Sequence, residues 1–127
     1  MNVALKLVAV GIAGIAVGGT GLRIATAQAK PHAFIVAEVD VHDTAAYRPY
    51  AQRASQIVTQ YGGHYIVRGG KTESIEGAKP ANRIAIIEFP SLEALDRFES
   101  SPEYRAVVDI RHKNATSRVF AVEGVIP

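Results

Sequence analysis

The chain has 127 residues, fourteen basic against twelve acidic, and no cysteine. Disulfides, thiolate metal sites and cysteine nucleophiles are therefore excluded. A formal charge of +2 is too small to leave an electrostatic footprint for nucleic acid, and the length suits one compact domain with a short appendage.

Residues 1–29 have the order of a secretory signal. Lys6 follows the free amino terminus, residues 7–22 run without a charge, and Ala27-Gln28-Ala29 puts small side chains at the cleavage point. Cleavage is expected after Ala29, with Ala25-Thr26-Ala27 as a competing site, and the product is expected in the periplasm. The alternative is an uncleaved anchor over residues 7–22. That run is shorter than the ~20 residues a spanning helix needs and contains five glycines. Removing the leader takes Lys6 and Arg23 with it, so residues 30–127 carry equal numbers of acidic and basic side chains. Neither nucleic acid nor an anionic membrane is then an expected partner. Pro31, which has no backbone N–H, rules out an amino-terminal copper site through His32.

The mature domain, residues 30–127, opens with a β-branched run of strand length, Ala33–Val41. Asp43 is a good N-cap for the helix after it, where Tyr47, Tyr50, Ala51, Ala54, Ile57, Val58 and Tyr61 recur three or four apart. Gly62-Gly63 stops that helix. A second strand spans His64–Arg68, breaks at Gly69-Gly70 and has the composition to resume through Glu76. Glu76 to Asn82 reads as a loop, and Arg83–Phe89 as a third strand. A helix starts at Ser91 with Leu92, Leu95 and Phe98 on its buried side. Ser100-Ser101-Pro102-Glu103 then restarts it, with Ser100 and Glu103 at capping-box spacing, and one helix is expected to run on to about Asn114. Residues 117–123 form the last strand. The order β-α-β-β-α-β reads as a ferredoxin-like α+β sandwich: a four-stranded antiparallel sheet with its helices on one face.

Alternation divides each strand between two faces. Ile35, Ala37, Val39, Ala85, Ile87, Val119 and Ala121 fall on one, and Phe34, Val36, Ile84, Ile86, Phe120 and Val122 on the other. A solvated face should read polar, and neither does, so the uncovered face is expected to meet a second copy of the chain. Ile35-Val36-Ala37-Glu38-Val39, Tyr61-Gly62-Gly63, Val67-Arg68-Gly69-Gly70, Glu76-Gly77, Ile87-Glu88-Phe89-Pro90-Ser91, Ser101-Pro102-Glu103-Tyr104 and Arg111 follow in order. Together they make the chain similar to the domain-of-unknown-function family 1330 over nearly all of the mature domain. The resemblance implies a ferredoxin-like subunit pairing sheet to sheet as a dimeric α+β barrel, and no established activity.

Alternation also collects His64, Ile66 and Arg68 with Glu38, Glu88 and Arg118 on the uncovered face. Carboxylates there are costly unless paired, and Arg68 and Arg118 offer the fork that pairs them or binds a ligand's carboxylate. On this reading Glu88 or Glu38 is a candidate general base, with His64 as proton relay. The alternative is a set of ion pairs that fix the dimer's register. Tyr47, Tyr50, Tyr61 and Tyr104 read as packing residues, and Arg111-His112-Lys113 as cations complementing a helix end. His42 and His112 stand too far from other donors to ligate a metal. No cofactor and no metal are expected. Three functions remain open: an exported dimer that binds a small organic molecule; a cofactor-independent oxygenase, isomerase or dehydratase using a Glu base; and a purely structural dimer.

Overall fold

A computed structural model describes residues 29–127. The expected leader and its alternative as an anchor lie outside the described residues, except for Ala29 itself. Among the described residues no helix is long and apolar enough to cross a membrane.

Four strands, β1 (Ala33–Val41), β2 (His64–Arg68), β3 (Arg83–Phe89) and β4 (Ala115–Glu123), form one sheet in the order β2-β3-β1-β4. Every pairing is antiparallel, and the fold is the expected ferredoxin-like α+β sandwich. Helix α1 (Thr44–Gln60) begins where Asp43 accepts a hydrogen bond from the Ala46 N–H. It ends at Gly62, whose φ of +85° only glycine adopts without strain. Gly63 is needed for a different reason: a Cβ there would sit 2.7 Å from the Phe89 ring.

The second helical stretch departs from expectation. It is three segments, α2 (Leu92–Glu99), α3 (Pro102–Arg105) and α4 (Val108–Asn114), where one restarted helix was predicted to run to Asn114. The cap of α3 is Ser101, which accepts from the Tyr104 N–H while donating to the Phe98 carbonyl. Ser100 instead closes α2 by donating to the Asp96 carbonyl. Pro102 decides this, since proline fits best directly after the cap, where its missing N–H costs nothing. Strand β2 does not resume after Gly69; the chain from there to Asn82 is an exposed loop.

The helices cover the face carrying Ala33, Ile35, Val39, Ile87 and Phe89. Phe89, Phe98, Ile57, Val39 and Val58 are the largest fully enclosed side chains, each stabilising the fold by about 1.5–3 kcal/mol on transfer from water. On the opposite face Phe120 and Val122 are 43% and 48% exposed. Phe34, Val36, Ile84 and Ile86 beside them are half-buried.

Candidate functional site

Register places Glu38 opposite Arg118, and Glu88 opposite both Phe34 and His64, on the uncovered face. The structure therefore pairs four of the predicted residues, Glu38 with Arg118 and Glu88 with His64, as two separate groups. Arg118 donates twice to Glu38 Oε2, its Nε at 2.7 Å. Glu88 is held by two imidazoles: His32 Nδ1 lies 2.8 Å from one oxygen and His64 Nε2 3.0 Å from the other. The His32 hydrogen bond holds the Glu88 carboxyl below its ordinary range, and the charges of both imidazoles add to this. A carboxylate so stabilised is a weak base. His32 is the member of this group that sequence reasoning missed, because it precedes β1.

Arg68 is not on this face, which corrects the placement by alternation. A bulge interrupts the β2–β3 ladder between Tyr65 and Val67. Ile66 is the extra residue, and beyond it Val67 faces Ile86 while Arg68 faces Ala85, on the helix side. A one-residue insertion exchanges the faces of everything that follows. The Arg68 guanidinium stacks 4.7 Å from the Tyr65 ring centre and reaches the Ala51 carbonyl at 3.5 Å.

The walled cavity lies on that helix side, between the sheet and all four helices. Its floor is Ile35, Ala37, Val39, Ala85 and Ile87, and Tyr47, Tyr50, Tyr65 and Tyr104 stand around it. Its volume is about 30 Å³, room for about two waters. Ile35, Glu99, Arg111 and Val119 also line a more open groove of about 290 Å³ between α2 and β4. These four residues are where the two spaces adjoin.

The polar groups of the cavity converge. The Tyr50 and Tyr104 hydroxyls hydrogen-bond at 2.9 Å, and Arg111 Nη2 donates to Tyr104 at 3.5 Å. A second Arg111 nitrogen donates to the Ser117 hydroxyl. Arg111 and Arg83 each lie 5.7 Å from a ring centre, of Tyr50 and Tyr47 respectively. Burial pushes the Tyr47, Tyr50 and Tyr65 hydroxyls up, so they stay protonated donors at neutral pH. Burial also raises the Glu99 carboxyl, against the opposing pull of Arg111. The arrangement offers neutral donors, a fixed cation and a carboxyl raised by burial around a mostly apolar space, which are the components of a small-molecule site. Tyr61, the remaining predicted packing tyrosine, turns away and donates to Glu103 at 2.7 Å. Among the described residues no group of three or more His, Cys, Asp or Glu side chains is arranged to hold a metal ion.

Residues 32–125 match the model of the family described as "Domain of unknown function (DUF1330)". The RPA0582 protein of unknown function from Rhodopseudomonas palustris superposes with a TM-score of 0.64 at 18% identity, covering 86% of this chain and 94% of that one. SnoaB, a cofactor-independent oxygenase from Streptomyces nogalater, gives 0.57 at 15% identity, over 76% and 96% of the two chains. At such identities the likeness is one of fold. No curated protein matches the chain.

Proposed function

We propose that this chain, which belongs to the DUF1330 family over residues 32–125, is an exported, dimeric α+β-barrel protein that binds a small organic molecule. The observation that carries the reading is the cavity between helices and sheet together with the groove of about 290 Å³ that adjoins it at Arg111, where the Tyr50–Tyr104 hydroxyl pair and the guanidinium meet apolar walls. The order of residues 1–29 supports export, with processing after Ala29 or else Ala27. The apolar uncovered face supports pairing of two copies sheet to sheet. In that pairing Glu38–Arg118 and His32–Glu88–His64 serve as interface ion pairs that fix register.

Native mass spectrometry of protein purified from its own host tests the reading. A retained small molecule is expected on wild type and absent from Val119→Phe, whose ring crowds the junction of cavity and groove. Equal retention by both proteins, or none by either, refutes it. Amino-terminal sequencing of the same sample should begin at Lys30 or Gln28; intact Met1 in a membrane fraction overturns the export reading.

A second reading, a cofactor-independent enzyme, is favoured by one observation: Glu99 stands at the cavity wall with its carboxyl raised by burial. On that reading the base is Glu99 rather than Glu88 or Glu38, which are stabilised by imidazoles and by Arg118. Glu99→Gln then abolishes turnover while leaving retention of the ligand intact.

A further inference from the structure

Among the described residues Arg111 is the one charged residue with a buried side chain, 9% exposed. Its neighbours in the same helical turn, His112 and Lys113, are exposed and suffice to complement the carboxyl end of α4. Arg111 alone turns inward, and its known hydrogen-bond partners are neutral: the hydroxyls of Ser117 and Tyr104. Among the described residues no carboxylate lies within 4.0 Å of it, since the ion pairs there involve other side chains. A buried guanidinium without a counter-ion is costly, and most of its five N–H groups remain uncommitted. It stands where the cavity and the groove adjoin.

We propose, resting on the reading of this cavity as a ligand site, that the ligand is a small organic monocarboxylate whose head is received by Arg111 and whose apolar body lies along Leu95 and Val119 in the groove. The fork of the guanidinium matches a carboxylate in two parallel hydrogen bonds, and the Tyr104 hydroxyl beside it adds a donor. Asp96 and Glu99 on the groove wall oppose a second negative charge, which selects against dicarboxylates.

Benzoate and benzamide share shape and differ in charge, so titrating each into the mature protein tests the proposal. The chain has no tryptophan, and four of its five tyrosines stand around the cavity, so their emission reports on it. Benzoate is expected to bind wild type at least tenfold more tightly than benzamide. Arg111→Met should erase that preference by weakening benzoate far more than benzamide, and Arg111→Lys, which keeps the charge but loses the fork, should retain part of it. Should benzamide bind wild type as tightly as benzoate, the carboxylate inference fails while the small-molecule site survives. Failure of both probes at millimolar concentration removes both readings. A preference that persists undiminished in Arg111→Lys and Arg111→Met places the head elsewhere and overturns the assignment. The comparison of acid with amide on wild type needs no variant to fold.

Discussion

Replacing Ile86 with Asp is the sharpest perturbation of the proposed sheet-to-sheet pairing. Ile86 sits mid-sheet on the uncovered face, opposite Val36 on one side and Val67 on the other. In the isolated subunit it is only partly covered, so Asp there keeps access to water. A dimer changes this, because two-fold symmetry brings two such carboxylates into one apolar seam. Losing the remaining burial of two isoleucine side chains removes about 2 kcal/mol of association free energy, taking roughly a third of the ~3 kcal/mol full burial value for each. Two desolvated carboxylates without partners add at least ~2 kcal/mol more. The total, about 4 kcal/mol, raises the dimer dissociation constant by roughly three powers of ten. Sedimentation equilibrium across nanomolar to micromolar concentrations reads this, with circular dichroism to confirm that the variant folds. A folded wild-type monomer at micromolar concentration, or an unchanged dissociation constant in I86D, refutes the reasoning.

Tyr104→Phe removes the hydroxyl joining Tyr50 to Arg111; a loss of about 1–2 kcal/mol is expected in denaturant melts, more than an ordinary hydrogen bond because Arg111 loses one of its two acceptors. Glu99 is raised by burial, so its folded form holds a proton that the unfolded chain releases. Stability should fall as pH rises from the ordinary carboxyl range through the raised value, and Glu99→Gln should flatten that fall and stabilise the apo protein at neutral pH. Glu88 has the opposite sign: its depressed carboxyl contributes stability above the ordinary range that is lost as pH falls through the depressed value. Thermal melts from pH 3 to 6 should show that acid loss in wild type and a smaller one in Glu88→Gln.

Strands β1 and β3 have the limits that their β-branched runs predict, and the faces of β1, β3 and β4 follow alternation without error. The error on β2 is of one residue, at Ile66. Nothing in the type of that residue announces a bulge, for isoleucine is as good a strand former as its neighbours, yet the slip carries Arg68 to the other side of the sheet. The cavity was hidden in a different way. Tyrosines at helical spacing do pack, and Tyr47, Tyr50 and Tyr104 are all buried. What keeps them from closing the space is the size of their neighbours: Ala37 and Ala85 on the sheet and Ala51 and Ala54 on α1 leave their hydroxyl ends a gap to surround. Small residues on facing positions of strand and helix are the signal that the sequence holds. Arg111 carries another, as a charged side chain on the same helical face as buried Tyr104 and Val107.

The two borders of the sheet are unequal. Strand β2 is five residues long, kinked at Ile66 and ended by exposed His64 and Arg68, all of which discourage another strand from adding to it. Strand β4 runs nine residues without a break, and its outer edge is unpaired among the described residues. Growth in the hydrogen-bonding direction is thus open at one border and obstructed at the other. Any strand-to-strand joining of copies through β4 ends when two such borders have met, because neither copy has a second one to offer. The kink that misled alternation thereby limits polymerisation: a chain with this much exposed apolar sheet is protected from stacking edge to edge into a fibre.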